Sequence, residues 1–184
     1  MAIEIELKFP LKNSEKAIKI LNEKAEQKGE DYQRDDYYSP IHRNFLAKTP
    51  VSEWLRIRET KNKPGINYKR WHNNDGQSIS CDEFETPIGD IETLKSIFKR
   101  LDFKELITVE KIRKNWKYKN TIISIDKITE LGDFIEIEIE ENEFKNMEQA
   151  KEYLFNILNE LNLEFGGQDF EGYPYLLLKK RGLI

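Results

Sequence analysis

The chain has 184 residues, 35% of them charged, yet its formal net charge is only −4. That near balance excludes a histone-like or nucleic-acid-coating protein, which would be basic overall. The length suits one domain over residues 1–184, and the 38% of hydrophobic residues fall in periodic segments, so the chain is expected to fold.

The first predicted strand, residues 2–9, contains Ile3-Glu4-Ile5-Glu6-Leu7-Lys8-Phe9, which alternates strictly. One face carries Ile3, Ile5, Leu7 and Phe9 and the other Glu4, Glu6 and Lys8. Glutamates this early argue against a signal peptide. Residues 13–27 read as a helix, with Ala17, Ile18, Leu21 and Ala25 at helical spacing, Asn13 or Ser14 as cap and Gly29 as its stop. Asp31–Ser39 reads as an aromatic-rich strand ended by Pro40, followed by a loop over 41–51. Glu53–Thr60 and Ile66–Trp71 are the third and fourth strands, joined by a turn at 61–65. Asn73-Asn74-Asp75-Gly76 is a hairpin signal leading into a fifth strand, Ser78–Thr86. Cys81, on that strand, is the only cysteine, so no intrachain disulfide or cysteine-based zinc site can form. This favours a reducing, cytoplasmic compartment. A second helix is expected over about 90–101, then long strands at Phe103–Lys119, Thr121–Thr129 and Phe134–Glu140. A third helix spans Asn146–Leu161, and Phe170–Lys180 is an aromatic and leucine-rich tail. No apolar run approaches the roughly 20 residues that span a bilayer, so no membrane partner is expected.

About eight strands joined mostly by hairpins predict an α+β fold built on an antiparallel sheet able to close into a barrel. The apolar strand faces can meet the helices outside, which leaves the charged faces inside as a polar tunnel. Glu4 and Glu6, like Glu136, Glu138 and Glu140, are same-face carboxylates about 7 Å apart along a strand. Such groups repel unless a cation or a basic strand offsets them or the face is a well-hydrated sheet surface, and they are hard oxygen donors suited to Mg2+ or Mn2+. Arg56 with Arg58, and Lys111 with Arg113, are same-face basic pairs suited to phosphate oxygens. Lys69 can join them, whereas Arg70 points the other way. Glu83 and Glu85 can bind metal, orient the arginines or do neither, and Asp126 can equally be a turn aspartate. His42 and His72 share no ligand spacing. There is no P-loop, no G-x-G-x-x-G and no G-x-S-x-G.

Taken in order, these motifs resemble the CYTH superfamily, the triphosphate tunnel metalloenzymes. Glu4-Ile5-Glu6-Leu7-Lys8 is similar to its N-terminal E-x-E-x-K, and Arg56-Ile57-Arg58 to its R-x-R. Lys69, Glu83-Phe84-Glu85, Lys111-Ile112-Arg113, Asp126 and Glu136-Ile137-Glu138 match the motifs that follow. The resemblance covers residues 3–140 and implies a closed eight-stranded antiparallel barrel with helices packed outside. It implies metal binding by Glu4, Glu6, Asp126, Glu136 and Glu138, with Mg2+ or Mn2+ as cofactor. It implies substrate binding by Lys8, Arg56, Arg58, Lys69, Glu83, Glu85, Lys111 and Arg113, and catalytic roles for Lys8, Lys111 and Asp126. The segment Asp36-Tyr37-Tyr38-Ser39-Pro40, the length and the tail Tyr173-Pro174-Tyr175-Leu176-Leu177 are most similar to class IV adenylyl cyclases. The implied reaction is conversion of ATP to cyclic AMP and pyrophosphate. The alternatives are hydrolysis of a triphosphate (inorganic, thiamine or nucleoside) and a non-catalytic polyanion-binding module. The partner is then a small triphosphate rather than nucleic acid, and a homodimer is left open.

Overall fold

The computed structural model describes residues 3–61, 63–74, 77–140, 144 and 146–184, and of residues 3, 4, 73, 74 and 77–80 the backbone alone. Its strands are β1 (Ile3–Pro10), β2 (Glu26–Pro40), β3 (Glu53–Thr60), β4 (Gly65–Asn74), β5 (Gln77–Pro87), β6 (Phe103–Tyr118), β7 (Thr121–Ile128) and β8 (Gly132–Ile139). The helices are α1 (Ser14–Lys24), α2 (Ile91–Arg100), α3 (Met147–Glu160) and α4 (Tyr173–Lys180). None is long and apolar enough to cross a membrane.

All strand pairs are antiparallel, in the order β1-β5-β4-β3-β2-β6-β7-β8, and the sheet curls until β1 lies against both β5 and β8. The β1–β5 ladder covers Ile3–Ile5 against Ser80–Asp82. Further along β1, the segment before α4 takes over the edge: Gly166 N donates to the Pro10 carbonyl and Asp169 N to that of Lys8, each at 2.8 Å.

The alternation seen in the sequence sorts the two faces as expected. Ile5, Leu7 and Phe9 of β1 and Ile135 and Ile137 of β8 point outward and bury themselves against Leu21 of α1 and Leu154, Ile157 and Leu158 of α3. On another side, Phe98 of α2 packs edge-on against Tyr38, with ring centroids 5.1 Å apart, and over Ile57. Three of the helix starts are set by side-chain caps. Asn13, Asp90 and Asn146 cap α1, α2 and α3 by accepting from the backbone N–H groups of Lys16, Thr93 and Gln149.

Two stretches depart from the sequence reading. The first helix ends at Lys24, and Glu26–Glu30 extend β2 along β6 as far as Lys117. This run is polar and has no apolar stripe to bury as a helix, so ladder pairing wins. Gly29 therefore does not stop a helix. It sits at a bulge in β2 with φ +125°, a backbone that L side chains rarely adopt. The tail is the second departure, because it contains α4. Pro174 stands in its first turn, where the missing N–H costs nothing. Tyr173, Leu177 and Leu178 bury against Tyr37, Trp54, Ile107, Val109, Ile128 and Phe134. By strand parity these are inner-face residues. The three helices expected outside are thus joined by a fourth, not expected from the sequence, which seats its apolar face within one end of the curled sheet.

Candidate active site

Strand pairing alone places opposite charges side by side on the inner face. Lys8 stands opposite Glu136, whereas Glu6 and Glu138 form a like-charged pair across the same ladder. Arg58 faces Asp35, Lys69 faces Glu83, and Arg113 faces Asp126. The result is a cavity of about 280 Å³ whose lining holds all six expected cations: Lys8, Arg56, Arg58, Lys69, Lys111 and Arg113. Arg70 is exposed on the outer face, as its parity predicts.

Each cation is held by a carboxylate. Glu6 accepts from Lys8 at 3.2 Å and Lys69 at 3.4 Å. Glu136 lies 3.3 Å from Lys8 and 2.8 Å from Arg113. Asp126 receives two bonds from Arg113, at 2.7 and 2.6 Å, and one from Lys111 at 3.1 Å. Asp35 does the same for Arg58, with two bonds of 2.7 Å, and lies 3.3 Å from Arg56. Asn67 bridges Glu83 and Glu85.

These contacts set the charge states. Burial works against the Asp126 carboxylate, but Arg113 and then Lys111 outweigh it and hold it below the usual range. Glu136 is held well below its ordinary value despite burial, by Arg113 and Lys8. Asp35 is likewise depressed against its burial by Arg56 and Arg58. Lys8 goes up, because Glu6 and Glu136 overcome its burial. Lys111 goes the other way, to about 7, through burial and then the neighbouring Arg113. Asp126 gives its best geometry to Arg113, which leaves Lys111 undercompensated.

Three carboxylates gather as a group: oxygens of Glu6, Glu136 and Glu138 all lie within 4.8 Å of one another. This hard-oxygen donor set fits Mg2+ or Mn2+. Asp126, also expected among the ligands, is not in that group and spends its oxygens on Arg113, Lys111 and Tyr173. The Glu4 side chain lies outside the described residues, although its backbone pairs with Cys81 at the β1–β5 seam. Glu83 and Glu85 line the cavity and contact Asn67, with Glu83 also 3.8 Å from Lys69. Cys81 is buried, while His42 and His72 are exposed.

A CYTH domain model matches residues 2–173. The chain belongs to the CYTH family. A Methanocaldococcus jannaschii protein provisionally named an adenylate cyclase is 32% identical over 164 residues, covering 88% of this chain and 90% of that protein. The solved structure of a Pyrococcus horikoshii protein superposes with a TM-score of 0.84 at 32% identity, over 97% of this chain and 99% of that one. A Hippeastrum protein shares the fold at 19% identity and a TM-score of 0.64, over 99% of this chain and 96% of that one. It is described as provisionally named an adenylyl cyclase and as revealing a dominant triphosphatase activity.

Several residues in and around this cavity were given no role from the sequence. Asp35 and Asn67 follow the parity of Tyr37 and Lys69, so strand alternation could have found them. Trp54, Trp71 and Phe170 line the cavity beside Val51 and Pro174, an apolar border to the charged interior. Tyr173 comes from a helix, and no strand pattern announces it. Its hydroxyl donates to Asp126 at 2.9 Å, and burial and then Asp126 push its phenol well above its ordinary value, so it remains a donor.

Proposed function

We propose that this CYTH protein is a metal-dependent enzyme acting on a triphosphate, and that its reaction is the conversion of ATP to cyclic AMP and pyrophosphate. The observation that carries this reading is one cavity holding six cations beside a carboxylate trio. A triphosphate needs several fixed cations, and arginine forks supply them with little reorganisation. The aromatic border of Trp54, Trp71 and Phe170 gives a nucleoside a surface beside the phosphate groups. The M. jannaschii relative's name points the same way.

In this reading the sheet closes as a tunnel, residues 1–184 act as one domain, and the buried single thiol suits a reducing cytoplasm. Arg56, Arg58, Lys69 and Arg113 hold the phosphate chain. Lys8 and Lys111 set the α-phosphate in line with the ribose 3′-hydroxyl. A bond forms between that oxygen and the α-phosphorus as the hydroxyl proton passes to solvent, the bond from the α-phosphorus to the bridging oxygen breaks, and pyrophosphate leaves with that electron pair. Glu6, Glu136 and Glu138 would hold the divalent cation, which when bound offsets phosphate charge and polarises phosphoryl oxygens. Asp126 is a positioning acid in this scheme.

A second reading is hydrolysis of the terminal phosphate. The description of the Hippeastrum fold neighbour supports it, since a cyclase name there accompanies dominant triphosphatase activity. The two differ in which phosphorus meets the nucleophile. Incubation with ATP or inorganic triphosphate and Mg2+ or Mn2+, followed by product separation, tests both. Cyclic AMP with pyrophosphate supports the cyclase, and released phosphate the triphosphatase. Tight triphosphate binding with no product would leave a binding module.

A further inference from the structure

The cavity cations stand on strands, yet one side chain that touches two of them comes from the last helix. Tyr173 opens α4 and is 4% exposed. Its ring centroid lies 4.6 Å from Lys8 Nζ and 5.2 Å from Lys111 Nζ, both within cation–π range. Its hydroxyl donates at 2.9 Å to Asp126 Oδ2, which also accepts from Lys111 and Arg113.

The side chain is firmly set. Gly172 before it has φ +81°, Pro174 after it has a fixed φ, and Phe134 meets its ring edge-on at 5.1 Å. Leu177 and Leu178, one turn on, anchor the helix among inner-face apolar residues.

Lysine is a compact charge on a flexible stem, so its direction must come from its partners. A carboxylate partner directs it but also offsets its charge toward a ligand. A neutral ring directs it and leaves the charge available. Lys8 and Lys111 have both kinds of partner, and they share the ring.

We propose that Tyr173 is a positioning residue that holds Lys8 and Lys111 toward bound triphosphate, making α4 part of the site. This rests on the triphosphate reading above.

The test compares full-length wild type, Tyr173→Phe, Tyr173→Leu and Leu177→Val, each checked for folding by circular dichroism and thermal melts. Inorganic triphosphate with Mg2+ is titrated calorimetrically, and KM and kcat for ATP are measured where turnover is seen. Tyr173→Phe keeps the ring and should weaken triphosphate binding less than roughly threefold. Tyr173→Leu removes a contact to two cations and should weaken it roughly tenfold or more. Leu177→Val should lower the melting temperature and leave binding alone. The positioning role is overturned if Tyr173→Leu binds like wild type, if Leu177→Val loses as much, or if Tyr173→Phe loses as much as Tyr173→Leu. The last result would move the effect to the hydroxyl. A wild type that ignores triphosphate overturns the parent reading as well, so the two failures are distinguishable.

Discussion

Glu136 is the side chain on which the two halves of the site converge. It belongs to the carboxylate trio and also accepts from Arg113 and Lys8. Glu136→Gln keeps the shape and removes the charge. We expect Mn2+ affinity to fall by about tenfold or more and turnover to be lost, with far-UV circular dichroism unchanged. Near-normal rates at low metal concentration would take Glu136 out of the metal site. Neighbouring Lys69 and Arg70 give a cleaner contrast. Lys69 reaches Glu6 within the cavity, whereas Arg70 is exposed outside. Lys69→Ala should raise the KM for triphosphate several-fold, and Arg70→Ala should not; equal damage would refute the inside-polar assignment of β4. Lys111 carries a pH signature. Burial and Arg113 depress its pKa to about 7, so above that pH the free protein holds mostly the neutral amine. A triphosphate beside it favours the ammonium and raises the pKa again. Binding at pH 8 should therefore take up a proton, and binding at pH 6 should not. Calorimetry in two buffers of different ionisation enthalpy measures this directly, and no uptake at pH 8 would reject the assignment.

At the level of elements, the strands were the most legible part, because each buries one face and hydrates the other and so writes its partners into a period of two. The same period marked the six cations. Where burial does not follow that period, the sequence was harder to read. Glu26–Glu30 is polar on both sides, and only its pairing with β6 makes it a strand. The tail is apolar on an eight-residue helix that enters the sheet, and with it came Tyr173, invisible to any strand rule. Asp126 was visible as an acid, but its role depends on which neighbours compete for its oxygens, and that is a tertiary fact. Helix starts were more legible than helix ends: Asn13 was a cap candidate and does cap α1, whereas α1 ends well before the Gly29 expected to stop it. Asn146 closes the start of α3, whose far side carries Leu154 and Leu158 into the core. Asn146→Ala should cost about 1 kcal/mol and lower the melting temperature by about 2–4 °C. Turnover should be unchanged, because α3 packs outside the sheet; an equal loss of activity would tie α3 to the site.

At the scale of the whole molecule, the interior carries its own counter-charges before anything binds. Among the described residues, the six cations of the cavity face the seven carboxylates of its lining, Glu6, Glu83, Glu85, Glu136, Glu138, Asp169 and Glu171, and some of them are also held by Asp35 and Asp126. A polyanion entering alone would meet the carboxylates as well as the cations. A divalent cation entering alone would meet the cations as well as the carboxylates. In the proposed reading each ligand offsets the repulsion that the other suffers, and we expect binding of the two to be coupled. The coupling is reciprocal: the factor by which Mg2+ tightens triphosphate equals the factor by which triphosphate tightens Mg2+. We expect that factor to lie around 10–100, which corresponds to about 1–3 kcal/mol. Calorimetric titrations of triphosphate with EDTA and with saturating Mg2+, and of Mn2+ with and without triphosphate, close the cycle. The same coupling should appear in thermal melts, where the two ligands together raise the midpoint by more than the sum of their separate effects. Because free metal and triphosphate also bind each other in solution, the cycle is evaluated with free concentrations. Triphosphate affinity that is indifferent to EDTA would show that the six cations work without the carboxylate trio, and the trio would then have no part in substrate binding.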